Sequence, residues 1–277
     1  TKSEKLDKIN EEYSNTKVKY EYVNSKQKAL KVFMNTFYGL LGDPTNSLYN
    51  VELAGAVTSA GIASLKKVHK FVTKNGYKVK YGDTDSLYII PPDSVFTEVD
   101  ELYKKKKITK MEYWTKMVEL TMKDLATFKD KVNNMLFEDN GTKFLNMAYE
   151  EVLFPVAFLA KKMYFGIPHE NIVNFKPKKL FMRGVAVVKR GVPDYIKILD
   201  HEIMWEAMSV DNVLSMHDIV VTKLHGVTKR NWTLDDFAET ADYRPAKDQK
   251  SLKMFVNSLP KKLQPKPGVR FSYIVAE

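Results

Sequence analysis

Residues 80–90 read KYGDTDSLYII, and this stretch constrains the fold more than any other. Two runs of strand-forming residues, YKVKY and SLYII, flank Gly82, Asp83, Thr84 and Asp85, and Pro91 and Pro92 close the second run. Such a pattern predicts a β-hairpin with both acids near its tip. Two carboxylates one residue apart repel each other, so a fold gains by placing positive charge beside them. In an extended backbone residues i and i+2 share a face, so the tip can offer both acids to one cation. Mg²⁺ suits such a pair, because it takes hard oxygen ligands, commonly one or two carboxylates together with substrate phosphates. Two such ions about 3.5–4 Å apart can activate an attacking oxygen and stabilise a leaving one in phosphoryl transfer. Gly and Asp are also ordinary turn residues, so GDTD by itself leaves a plain turn open.

The segment upstream is helical. From Ser25 to Leu41 the residues Leu30, Phe33, Met34 and Phe37 recur at the spacing of one helix face, expected to be buried. Asn24, Lys28, Lys31, Asn35 and Tyr38 fall on the opposite face. Gly39, Gly42, Asp43 and Pro44 stop the helix. Residues 1–24 are charged and too poor in apolar side chains for a core, so a solvated helix or arm is expected. A second helix is predicted over 51–75, with Ala54, Gly55, Ala56, Ser59, Ala60 and Gly61 small enough for close approach to a neighbour. Residues 94–145 read as helix-rich, MAYEEVLFPVAFLAKKMYFGI as strand on both sides of Pro155, and the remainder as mixed and mostly helical.

Charge points to a polyanionic partner. The 277 residues carry 44 Lys plus Arg against 34 Asp plus Glu, a formal charge of +10, which favours nucleic acid first and an anionic surface second. From Lys161 to Gly191 the chain has Lys161, Lys162, Lys176, Lys178, Lys179, Arg183, Lys189 and Arg190 against Glu170 alone. A surface that tracks phosphates has this profile, as does an ordinary solvated face. The absence of cysteine excludes disulfides, thiolate metal sites and a cysteine nucleophile. The five histidines show no metal spacing, and HEIMW at 201–205 lacks the second histidine of a zinc helix. No apolar run approaches the ~18 residues of a membrane span, so no membrane partner is expected. A start at Thr1 and an end in the strand-like VRFSYIVAE read as those of a fragment.

Lys31, Asn35 and Tyr38 on one helix face would suit a nucleotide: a cation for phosphates, an amide for polar edges and a ring for stacking. KVFMNTFYG at Lys31–Gly39 resembles the Lys-x-x-x-Asn-Ser-x-Tyr-Gly fingers motif of family B DNA polymerases, and YGDTDS resembles their metal-binding palm motif. Downstream, LAKKMYFG resembles the Lys-Lys-Arg-Tyr segment that holds the primer strand, with Glu150 and Pro155 upstream of it as in the family. FMRGVAVVKRG resembles, less specifically, the crossing from palm to thumb. The likeness runs from about Lys26 to the C-terminus and is strongest up to Gly166.

The resemblance implies a mixed α/β fold of the α+β kind: a palm with an antiparallel sheet and an Asp-bearing hairpin, a partial fingers helix and a mostly helical thumb. It divides the chain into fingers over 1–44, palm over 45–186 and thumb over 187–277. It implies template-directed addition of deoxynucleotides to a primer 3′ end with two Mg²⁺ ions, and primer–template DNA and dNTP as partners. Asp85 would be the more direct metal ligand, with Asp83 beside it. Lys31 would contact the phosphates and assist catalysis, while Asn35, Tyr38 and Gly39 would line the nucleotide pocket. Lys161, Lys162 and Tyr164 would grip the primer, joined on the DNA by Arg183, Lys189 and Arg190. The likeness further implies a source in a virus, plasmid or eukaryotic mobile element, and work wherever its DNA is replicated, in a nucleus, a cytoplasmic viral factory or an organelle. No processivity factor is identifiable.

Three departures stand out. Thr36 replaces the family's Ser and keeps the hydroxyl, whereas Met163 replaces the Arg of the primer-gripping segment and removes a cation. The Asp-x-x-Ser-Leu-Tyr-Pro motif, which supplies the partner aspartate for the metals, does not occur in the chain, nor do the proofreading acids. The second ligand set would therefore come partly from residues outside this chain, and the stretch alone is expected to be inactive. A polymerase-like DNA-binding scaffold without activity remains the alternative. An RNA-dependent polymerase or reverse transcriptase also carries acids on a palm hairpin, but the Lys-Asn-Tyr-Gly helix speaks against it.

Overall fold

The computed structural model describes residues 2–244 and 250–274, and it divides into two compact units. The first comprises residues 1–75 with 79–88, and the second residues 76–78 with 89–277.

In the first unit, α1 (Lys2–Gly42) is one continuous helix of 41 residues. At 1.5 Å per residue that is about 60 Å. Asn50 then caps α2 (Val51–Lys74), its side chain accepting from the Leu53 amide at 2.9 Å, while the Asn50 amide donates to the Leu41 carbonyl at 2.9 Å. Cap and chain reversal thus share one residue. The hairpin of β1 (Lys78–Asp83) and β2 (Ser86–Ile90) follows, joined by the two-residue turn Thr84–Asp85.

The apolar face of α1 departs from expectation. Leu30, Phe33, Met34 and Phe37 are all exposed, Phe33 by 67%. The periodicity is genuine, since Leu6, Ile9, Tyr13, Tyr20, Val23, Leu30, Met34, Phe37 and Leu41 recur at alternating three- and four-residue steps, broken only by Thr16 and Gln27. A period of this kind would let a helix lay one apolar seam along another helix. Of these residues only Leu41, beside α2, is buried. The described residues contain no element that covers the rest.

The second unit supplies the core. A 3₁₀ turn at Asp93–Val95 leads into α3 (Thr97–Lys104) and then α4 (Lys110–Asn140), which opens on a Thr109/Glu112 capping box. Next come β3 (Val152–Ala160), β4 (Met163–His169) and β5 (Phe181–Arg183), an antiparallel sheet in the order β3-β4-β5. A further 3₁₀ turn at Ala186–Val188 precedes α5 (Asp194–Met208) and α6 (Met216–Val227). A ribbon of β6 (Glu239–Asp242) and β7 (Arg270–Tyr273) is separated by α7 (Lys250–Ser258).

β4 is the buried strand. Phe165 and Ile167 pack with Leu180, Val185, Met204 and Met208, so α5 covers the sheet. Pro155 lies inside β3, where it can donate no ladder hydrogen bond, and the register shifts between Leu153 and Val156 to accommodate it. Gly166 faces this irregularity; a Cβ there would stand 2.6 Å from the Pro155 carbonyl oxygen. From α4, Trp114 sets its edge on Phe154 at 5.0 Å.

His169 ends β4 with none of its surface exposed. Its Nδ1 accepts from the Asn174 amide at 3.0 Å, which leaves Nε2 to donate to the Phe154 carbonyl at 2.8 Å. The ring is therefore neutral, and burial lowers its pKa below the ordinary 6.5 although the Phe154 bond opposes the shift. The unfolded chain takes the proton more readily, so this contribution to stability is intact above about pH 6.5 and is lost as pH falls towards the depressed value. Denaturant unfolding between pH 7.5 and 5 should show the loss, and His169→Gln should flatten it. In the same assay Ile167→Ala should cost about 2–5 kcal/mol, while Phe33→Ala should change stability by less than about 0.5 kcal/mol.

Candidate functional site

The hairpin tip differs in detail from an extended strand. Asp83 closes β1, Asp85 sits in the turn, and Thr84 between them has φ 41°, a left-handed conformation costly for a β-branched residue. The strand rule that places i and i+2 on one face therefore does not govern this pair. Asp83 is half-buried and its carboxylate accepts from the Thr84 hydroxyl at 3.1 Å, while the Ser86 hydroxyl donates to the Asp83 carbonyl at 3.2 Å. Asp85 is exposed and bonds to no side chain among the described residues. Strained turns of this kind recur at ligand sites.

Lys31, Asn35 and Tyr38 lie along one face of α1, each exposed. They belong to the same compact unit as the hairpin tip. The Tyr38 hydroxyl is 2.9 Å from Thr58 Oγ1 of α2, so the ring is tethered although it remains 45% exposed. Thr58 in turn donates to the Ala54 carbonyl when its hydroxyl faces that way, at 3.1 Å. Leaving aside its chain neighbours and the helix backbone, nothing lies within 4 Å of where a Cβ would stand at Gly39, so the helix is uncovered there.

The basic residues predicted to grip DNA lie in the second unit. Lys161 and Lys162 form the exposed two-residue turn between β3 and β4, with Lys162 at φ 62°. Tyr164 is only 6% exposed, its ring set against Phe158 at 5.3 Å and Phe181 at 6.1 Å between centroids. Most of that ring therefore packs inside the sheet. Arg183 stands opposite Tyr164 in the ladder and stacks on Phe181 at 4.3 Å. Lys189 and Arg190 are exposed just after the Ala186–Val188 turn.

Acids line the start of β3. Glu151 is pushed above the usual carboxylate range by burial first, then by the Glu150 and Glu170 carboxylates, with Arg183 opposing them. Burial and the Glu151 charge likewise raise the Tyr149 phenol, whose oxygen is buried and has no hydrogen-bond partner among the described residues. Sequence reasoning named Glu150 but missed Glu151, Tyr149 and Thr58, whose surroundings only the folded chain reveals.

The two hairpin carboxylates match the hard donor set of a divalent ion but do not complete it. Among the described residues no group of three or more His, Cys, Asp or Glu could hold a metal. No helix among them is long and apolar enough to cross a membrane.

Comparison with known proteins follows the same lines. The model of "DNA polymerase family B" matches residues 7–253. The chain is 42% identical over 282 residues to "DNA polymerase beta" of African swine fever virus (isolate Tick/Malawi/Lil 20-1/1983), covering 94% of this chain and 23% of that protein. It is 26% identical over 220 residues to a DNA polymerase of Pyramimonas orientalis virus, covering 79% of this chain and 16% of that protein. Among solved structures, the family B DNA polymerase of the hyperthermophilic archaeon Pyrobaculum calidifontis matches with a TM-score of 0.53 at 20% identity, covering 94% of this chain and 29% of that one. The mixed architecture of helices and small antiparallel sheets is thus that of a family B polymerase. The chain spans about a quarter of the length of the swine fever virus relatives it matches.

Arg183 restrains the rise at Glu151, so Arg183→Ala should move the Glu151 carboxyl further upward. Carboxyl-detected NMR titration reads that shift; a fall, or no movement, would refute the coupling.

Proposed function

The chain belongs to DNA polymerase family B, and from that membership we propose that it is part of an enzyme that adds deoxynucleotides to a primer 3′ end by nucleotidyl transfer on a DNA template. The observation that carries the reading is the strained hairpin tip with its two acids, in one compact unit with the exposed Lys31, Asn35 and Tyr38 face.

In this reading Asp85 and Asp83 hold Mg²⁺, with the remaining ligands supplied from outside the chain. Bound there, the ions would neutralise phosphate charge and lower the pKa of the attacking hydroxyl. Lys31 meets the triphosphate and offsets charge that grows on the leaving pyrophosphate. Asn35 and the tethered Tyr38 bound the nucleotide pocket, and the helix is uncovered at Gly39. The Tyr38–Thr58 bond fixes ring orientation before substrate arrives, which lowers the entropy cost of a productive pose.

Lys161 and Lys162 take the primer backbone at the β3–β4 turn, with Arg183, Lys189 and Arg190 extending the cationic surface. Tyr164 acts mainly by bracing the turn from within, since its ring is packed against Phe158 and Phe181. The subdomain division proposed is fingers to residue 44, palm to 186 and thumb beyond. The chain alone lacks the first acidic motif of the palm and is proposed to be inactive by itself.

Primer extension decides the matter. The full-length parent should extend a DNA primer with dNTPs and Mg²⁺, and the 277-residue chain should not. In the parent, Asp85→Asn should abolish extension and Lys31→Ala should lower kcat/KM for dNTP by roughly 10²–10³-fold, the scale of losing one charge-stabilising group. Extension by the isolated chain, or full activity in Asp85→Asn, would overturn the reading.

A further inference from the structure

The turn that carries Lys161 and Lys162 packs against a residue just beyond the end of another strand. β5 pairs with β4 through Gly166 and Phe181, Phe165 and Met182, and Tyr164 and Arg183. One more step would oppose Met163 to Gly184, but β5 ends at Arg183 and Gly184 turns away at φ +64°. Its backbone there lies directly against the Lys162 peptide. A Cβ at Gly184 would overlap the Lys162 carbonyl oxygen, and would stand 3.1 Å from the Lys162 carbonyl carbon and 3.3 Å from Met163 Cγ.

Gly184 is thus required twice, once by its backbone angle and once by lack of room. The obstructing atoms are mainly backbone, so a rotamer change cannot make way. The peptide they belong to is itself in a left-handed conformation, with Lys162 at φ 62°. A side chain at Gly184 would lever the lysine turn off the end of the sheet.

We infer that Gly184 is a positioning residue for the primer strand: by admitting the Lys162 carbonyl against its backbone it fixes where Lys161 and Lys162 present their charges. The inference rests on the reading of those lysines as the primer grip.

The test is a double-mutant cycle in the full-length parent with steady-state primer extension. Gly184→Ala should raise KM for primer–template about tenfold or more, since small misplacements of binding groups are costly, while KM for dNTP changes by less than about twofold. In the Lys161→Ala/Lys162→Ala background the same substitution should add little, because the charges it misplaces are already gone. Equal effects in both backgrounds, or parallel changes in both KM values, would refute the assignment. If Gly184→Ala does not fold, hydrogen exchange on the wild-type parent serves instead. Primer–template should slow exchange at residues 160–163 and 183–185 together, and protection of the first without the second would overturn the inference. A parent in which the lysine pair itself has no effect on KM for DNA would sink the primer-grip reading, an outcome separate from failure at Gly184.

Discussion

Two carboxylates separated by one residue repel each other, and the proposed site turns on how the hairpin tip meets that repulsion. The hairpin tip relieves it only in part. Asp83 is half-buried with a hydroxyl bond from Thr84, whereas Asp85 is left to solvent on a turn that a β-branched residue enters at cost. A sequence selected for hairpin stability alone would place Asn-Gly or Asp-Gly at such a turn. Thr-Asp at that turn agrees with the proposed reading, in which a divalent ion would offset the repulsion.

The two compact units answer different physical demands. The second is built as a rigid support: β4 is buried between its neighbours and α5, and a neutral His169 ties the strand to Phe154 and Asn174. Side chains on such a frame are held with little freedom, as the proposed primer grip requires. The first exposes nearly the whole of α1, including a seam of large apolar side chains. A helix of that length gains most of its stability from packing, and among the described residues this seam has none beyond Leu41.

Much of this was legible from the residues. Gly, Asp and Pro punctuate the hairpin so clearly that its limits needed no tertiary information, and the small residues and breakers around 39–51 marked the passage between α1 and α2. The apolar period of α1 was equally visible, yet its exposure was not, because a period says which residues share a face and not what lies against that face. The seam before residue 24 was missed since tyrosines and Thr16 dilute it. Tyr164 illustrates a different limit: the motif marked it as a primer contact, while the fold buries its ring among Phe158 and Phe181. Gly184 could not be singled out at all, since its need arises from a carbonyl 22 positions earlier in the chain.

A crystal structure of the full-length parent with primer–template, a non-hydrolysable dNTP analogue and Mg²⁺ tests the central claim most directly. The account predicts metal density on Asp83 and Asp85 at the hairpin crest, with the triphosphate bridging from it to Lys31. Metal held elsewhere while the hairpin acids face bare solvent, or a triphosphate bound away from α1, would contradict it.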